Sequence, residues 1–218
     1  SGLAGSVSLV FGGRIKQDHL RKEAIAVVGL GWIICSVFGA MPYALCEPGL
    51  NPVDSLFESM SGFTTTGASV ISDLSIYPRE LLLWRALTQW LGGMGILVLF
   101  VALLSSFRIG SRAIFLHESS ANEIGGVANR TGKIATKLWS LYLMVTIICF
   151  AGFKILGMSW YDAVCHTFAT VATGGFSPYN ESIAYFQSPA IELWTMFMMI
   201  ACSINFILYA WLIRGRWD

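Results

Sequence analysis

The chain has 218 residues, of which 55% are hydrophobic and only 12% charged, and its formal net charge is +1. That is too apolar for an ordinary soluble domain and too evenly apolar for a fibrous one, so the chain is placed in a bilayer as an all-α membrane protein. The near-neutral total identifies no partner, and no nucleic acid is expected among them.

In chain order, residues 1–22 read as the tail of an earlier helix, Leu3 to Phe11, followed by a basic segment. The chain opens on Ser1 rather than Met and ends on Arg214-Gly-Arg-Trp-Asp218, and both ends are read as cuts in a longer protein. A first apolar run covers residues 24–46 and reaches roughly 34 Å at helical rise, enough for a hydrocarbon core of about 30 Å. After a short half-apolar segment at 54–69, a second run covers 81–107. A polar, glycine-bearing linker at 108–132 includes Asn122 to Asn129 and separates this first unit, 23–107, from a second unit, 133–218. The second unit repeats the order: a run at 134–156, a short segment at 162–177 and a run at 189–213. Arg85 and Lys154 lie near the ends of their runs and are expected to snorkel to the interface on their long stems.

All basic residues except Arg79, Arg85 and Lys154 fall before the first run, between the second and third or, for Lys137, at the very start of the third, or after the fourth. Those three places share one side of the membrane. The other side carries Glu47, Asp54, Asp73, Glu80, Asp162, Glu181 and Glu192. By the positive-inside rule the basic side is cytoplasmic, so both short segments enter from outside. The five cysteines form no CxxC pair and are read as packing residues.

The two short segments are a repeat. Asp54-Ser-Leu-Phe-Glu-Ser-Met-Ser-Gly-Phe-Thr-Thr-Thr-Gly67-Ala-Ser69 aligns without a gap on Asp162-Ala-Val-Cys-His-Thr-Phe-Ala-Thr-Val-Ala-Thr-Gly-Gly175-Phe-Ser177. Thr65 falls over Thr173, Gly67 over Gly175 and Ser69 over Ser177. Each is expected to form a half-length helix, capped by Asp54 or Asp162 and lacking a capping box, followed by an extended strand. A backbone that turns at membrane depth is tolerated only inside protein or along a water-filled cavity. Thr64-Thr65-Thr66-Gly67 and Ala172-Thr173-Gly174-Gly175 are therefore read as the ion-binding stretches of a pore. Rows of backbone carbonyls replace the hydration shell of a potassium ion without fixed negative charge, and glycine permits the backbone this requires. With no acidic ring in either loop, potassium is favoured over calcium, and no resident cofactor is expected. Glu58 and His166, at equivalent places in the two short helices, are read as supports behind these stretches.

Other features are assigned no chemistry. His19, His117 and His166 lack metal-ligand spacing. The small residues of Trp90-Leu-Gly-Gly-Met-Gly95 are read as helix packing and Asn205 as an interhelical hydrogen bond. No catalytic or phosphate-binding motif is present, so no enzyme is expected; Cys165 and His166, about 100° apart on a helix, are poorly placed to act together. A non-conducting membrane scaffold and a sodium-permeable pore are the alternatives to potassium uptake.

Ser59 to Ser69 and Trp84-Arg-Ala-Leu-Thr-Gln-Trp-Leu-Gly-Gly-Met-Gly-Ile96 resemble the first pore unit of the TrkH potassium transporters in the Trk/Ktr/HKT superfamily. Cys165 to Ser177, Ser188 to Leu193 and Ile204-Asn-Phe206 resemble the second. The resemblance implies four helix, pore loop, helix units around one pseudo-fourfold pore, of which this chain carries two, with Gly67 and Gly175 as filter glycines. It further implies a homodimer in the bacterial cytoplasmic membrane, associated with a nucleotide-binding regulatory subunit of the TrkA type. The third-unit gating loop and fourth-unit basic residue of that family have no counterpart here. Either the chain continues, which is the reading favoured, or two copies complete the ring.

Overall fold

The computed structural model describes residues 20–112 and 124–204, which are largely helical and form no β-ladder among themselves. The expectations for the Leu3 to Phe11 segment, for His19 and His117, for Asn205 and for the chain's end lie outside the described residues. The elements are α1 (Leu20–Gly39), α2 (Met41–Leu45), α3 (Pro52–Phe63), α4 (Arg79–Arg112), α5 (Ile124–Ile155), α6 (Trp160–Val171), a 3-10 turn (Ser182–Phe186) and α7 (Pro189–Ser203).

Three boundaries differ from the sequence expectation. The first run is broken after Gly39, because Pro42 has no N–H to offer the preceding turn and its ring crowds that turn's carbonyl. Helices α4 and α5 run on into the expected linker, leaving only residues 113–123 between them. Thr136–Ile155 is long and apolar enough to cross a membrane by itself, whereas Gly29–Leu45 and Pro189–Ser203 are apolar but shorter.

The third difference concerns the short helices. Both begin earlier than their aspartates, at Pro52 and Trp160, and each runs for 12 residues, about 18 Å at helical rise. The caps are Asn51 and Ser159, whose side chains accept the backbone N–H of Asp54 and Asp162. Each aspartate is thus the third helical residue, and its carboxylate accepts in return from Asn51 Nδ2 at 2.6 Å or Ser159 Oγ at 2.7 Å. This reciprocal pairing does the work of the capping box that seemed missing, and the carboxylate complements the positive helix end. Replacing Ser159 by Ala should lower the thermal stability of the purified protein by about 0.5–2 kcal/mol, the usual cost of a lost N-cap.

Helix α4 is the hub, packing against α1, α3, α5 and α6. Its register is fixed by close approach: a Cβ on Gly92 would overlap the Phe63 carbonyl at the end of α3, and one on Gly93 would come within 3.0 Å of the Ala172 Cβ beyond α6. The small residues of this stretch are packing residues, as expected. Trp90 seals the other side, its ring 5.2 Å from that of Phe168 and 5.8 Å from that of Tyr142, whose hydroxyl donates to the Trp90 carbonyl. The buried core gathers Met94, Tyr142, Phe153, Val171 and Met198 between α4, α5, α6 and α7. By contrast, Phe38 of α1, Ile147 of α5 and Ile200 of α7 face outward, each more than 60% exposed. An apolar exterior of this extent is a surface for lipid or for further protein.

Candidate functional site

The two short helices end identically. In α3, Thr65 N–H donates to the Gly62 carbonyl and Thr66 N–H to that of Ser61; in α6, Thr173 donates to Thr170 and Gly174 to Ala169. These are the paired bonds of a Schellman motif, whose pivot residue must be left-handed. The pivots are Thr65 and Thr173, at φ 55° and 53°. Glycine is the usual occupant, and a β-branched residue there costs roughly 1–2 kcal/mol. Strain of this kind is stored twice, at matched positions of the repeat. Two residues later the backbone is left-handed again, at Gly67 (φ 75°) and Gly175 (φ 83°).

The two strands meet. A Cβ on Gly67 would overlap the carbonyl oxygen of Gly174, so the strands touch at the glycines across 107 positions of sequence. In the first strand Thr64 Oγ1 and Thr66 Oγ1 lie 2.8 Å apart, and Thr64 Oγ1 also donates to the Met60 carbonyl. Thr66, Thr173 and Gly175 are exposed, while Ala172 and Gly174 are buried against α4. All eight residues expected to bind the ion are therefore in two adjacent strands.

Behind the first strand lies a buried ion pair. Glu58 Oε2 is 3.2 Å from Arg85 Nε, with both side chains almost wholly out of contact with solvent. The other carboxylate oxygen accepts from Ser69 Oγ and from the Val70 N–H, each at 2.7 Å. Arg85 also donates to Ser69 Oγ at 3.0 Å and to the Ser177 carbonyl at 3.4 Å, and its guanidinium stacks 4.1 Å from the Phe176 ring centre. Arg85 is thus not a snorkelling residue. Its stem points inward because Glu58 offers a counter-charge 27 positions upstream. Lys154, in contrast, donates to the Met158 carbonyl in the turn after α5 at 2.8 Å, beside Trp160.

The second strand is backed differently. His166, at the place equivalent to Glu58, is buried against Phe153 and Phe186, and its Nε2 has no partner among the described residues. It makes no bond to the strand beyond α6. That segment is tied instead by Tyr179, whose hydroxyl donates to Asp162 Oδ1 at 2.8 Å, and by Gln89 of α4, whose Oε1 accepts the Phe176 N–H at 3.1 Å.

A strained helix end followed by a glycine stretch is thus made twice, and the two are brought together. The family model described as TrkH, cation transport protein, matches residues 12–216. The chain belongs to the TrkH family. This TrkH-family chain is 39% identical over 206 residues to the Trk system potassium uptake protein TrkH of Halomonas elongata, covering 90% of this chain and 43% of the relative. It is 36% identical over 203 residues to TrkH of Escherichia coli K12, covering 92% and 42%, and 35% identical over 190 residues to TrkG of the same organism, covering 86% and 39%. Among solved structures it resembles the potassium transporter TrkH from Vibrio parahaemolyticus, with a TM-score of 0.78 and 34% identity over 98% of this chain and 43% of that one. The chain therefore spans about two-fifths of the length of the relatives it matches, and it is a membrane protein of a transport family.

Sequence reading missed Asn51 and Ser159 as caps, Arg85 as a counter-charge and Gln89 as a strand contact. A signal existed for Arg85: a basic residue inside an apolar run calls for a buried acid, and Glu58 is the acid in the middle of the neighbouring short helix. Gln89 is an uncharged polar residue in a long apolar run, and nothing about its position distinguishes it.

The loops beyond the two strands are also joined. Asn180 donates from Nδ2 to Asp73 Oδ1 at 2.9 Å and accepts the Leu74 N–H on Oδ1 at 2.8 Å. Bonds from Asn180 and Ser75 hold the Asp73 carboxyl below its ordinary value. A depressed value means that the tie is fully present above the unfolded-state value of about 4 and is lost as pH falls through the lower folded value. Hydrogen exchange at the Leu74 amide, corrected for its intrinsic rate, should show constant protection from pH 7 to 5 and a loss only below about 4.

Proposed function

We propose that this chain forms two units of the permeation path of a multi-pass potassium uptake protein of the bacterial cytoplasmic membrane. Potassium is the substrate, held by the main-chain oxygens of Thr64, Thr65, Thr66 and Gly67 and of Ala172, Thr173, Gly174 and Gly175. The observation that carries this reading is the matched pair of helix ends, each placing a left-handed threonine and a left-handed glycine two residues apart, with the two strands in contact at Gly67 and Gly174. The C-terminal half-charge of each short helix favours a cation where the strands begin. Carbonyl number and field strength then select the ion. Basic segments face the cytoplasm in this reading, where a nucleotide-binding regulatory subunit of the TrkA type would dock, and the transporter works as a homodimer. Two further units, from the rest of a longer chain or from a second copy, complete the ring.

The test is growth of potassium-uptake-deficient cells on limiting potassium, with rubidium uptake by proteoliposomes holding the complete protein. Restored growth and saturable rubidium uptake are expected. Correctly inserted protein that moves neither ion would replace this reading with a non-conducting scaffold, and uptake in which sodium competes equally would make the pore a sodium-permeable one.

A further inference from the structure

Helix α4 places Arg85 and Gln89 one turn apart on one face, and both reach the two strands. Arg85 bonds to Ser69 beyond the first strand and to the Ser177 carbonyl beyond the second. Gln89 is fully buried. Its Oε1 takes the Phe176 N–H at 3.1 Å, which fixes which end of the carboxamide is oxygen. That carboxamide lies so close to the second strand that a Cβ on Gly174 would overlap it, and a Cβ on Gly67 of the first strand would be 3.7 Å from its Nε2. The Nε2 group is buried without an acceptor among the described residues. A donor left unpaired in such a place is costly and needs an explanation.

We infer that Gln89, with Arg85 one turn before it, is a clamp between the two strands that fixes their spacing and so determines which cation passes. Oε1 anchors the second strand at Phe176. The unpaired Nε2 donors are positioned for the first strand at Gly67, and Arg85 holds the same two segments one turn away. A filter that replaces a hydration shell works through the number and spacing of its carbonyls, so a helix that sets the distance between strands sets discrimination without touching the ion. Gln89 is a positioning residue in this scheme. The inference rests on the permeation reading above, and uptake by the unmutated transporter tests that reading separately.

The experiment measures sodium inhibition of rubidium uptake in proteoliposomes containing the complete transporter, with the KM for rubidium and the maximal rate recorded apart. Gln89→Met keeps the side-chain length and removes both amide functions, while Gln89→Glu keeps an acceptor for Phe176 and removes the donors. Loss of a hydrogen bond on this scale corresponds to roughly a 5- to 10-fold change in an equilibrium. The sodium concentration for half-inhibition should fall by about that factor in Gln89→Met and at least as far in Gln89→Glu, where a carboxylate faces the carbonyls. Unchanged sodium inhibition in either variant would reduce Gln89 to a space-filling residue and overturn the clamp. Hydrogen exchange in the unmutated protein gives an answer that needs no variant. The Phe176 amide should be protected as strongly as those within α6, and exchange at the rate of an open loop would equally overturn the proposal.

Discussion

Serine at position 67 is expected to abolish selective uptake and destabilise the protein, whereas serine at 175 should leave a folded protein that discriminates poorly. Both glycines have positive φ, so any L-residue there carries roughly 1–2 kcal/mol of backbone strain. The surroundings separate them. A Cβ on Gly67 would overlap the Gly174 carbonyl oxygen, which belongs to backbone and cannot swing away as a side-chain tip can. Only displacement of the second strand relieves that overlap, adding about 1–3 kcal/mol of overpacking and moving a carbonyl assigned to the ion. A Cβ on Gly175 meets no atom of the described residues within 4 Å. Its cost is therefore strain alone, and the altered backbone shows as a shifted rubidium-to-sodium ratio. Thermal unfolding in detergent and competitive uptake in proteoliposomes separate the two effects. Unchanged ion ratios in both variants would contradict the assignment of these glycines to a filter, and equal destabilisation would contradict the asymmetric packing.

What could be read from the chain depended on how local its cause was. The repeated spacing of threonine and glycine is local, so the two matched stretches could be found in consecutive residues, but the left-handed pivots at Thr65 and Thr173 could not, because threonine is an unusual occupant of that conformation. The contact between the two stretches was not legible either. Gly67 and Gly174 meet because α4 lies between α3 and α6, a consequence of packing at Gly92 and Gly93 that periodicity does not reveal. The caps were misplaced by three positions because aspartate suits both the cap and the third helical position, accepting an amide in one and complementing the helix dipole in the other. Pro42 was passed over since an apolar run reads as one span whether or not its last turn is broken. Arg85 was read from its distance to the end of a run, while its orientation is dictated by Glu58. Glu58 itself was expected behind the first strand, and it contacts Ser69 and Val70 there, but the parallel drawn with His166 does not extend to a hydrogen bond.

Arg85→Leu should be among the most destabilising single substitutions in the described residues. Removing one partner of a buried ion pair leaves the other charge uncompensated and costs about 3–5 kcal/mol. Glu58 would keep its bonds from Ser69 and Val70, and these place the cost toward the lower end of that range. Glu58→Gln preserves an oxygen for the same two donors while stripping Arg85 of its counter-charge, so it too should destabilise. The double variant is the decisive one. With neither charge left, it should be more stable than the sum of the single losses predicts, by a coupling of about 0.5–3 kcal/mol. Strict additivity in thermal unfolding would mean that the pair contributes through packing and not through charge. The same three proteins bear on transport, because Ser69 follows Gly67 by two residues and Ser177 follows Gly175 by two. A pair that holds Ser69 directly and Ser177 through Arg85 ties the anchoring of both strands to one buried electrostatic contact. The double variant should therefore recover stability without recovering sodium exclusion, since neutral residues restore the fold's charge balance but not the guanidinium's bonds to the two strand ends.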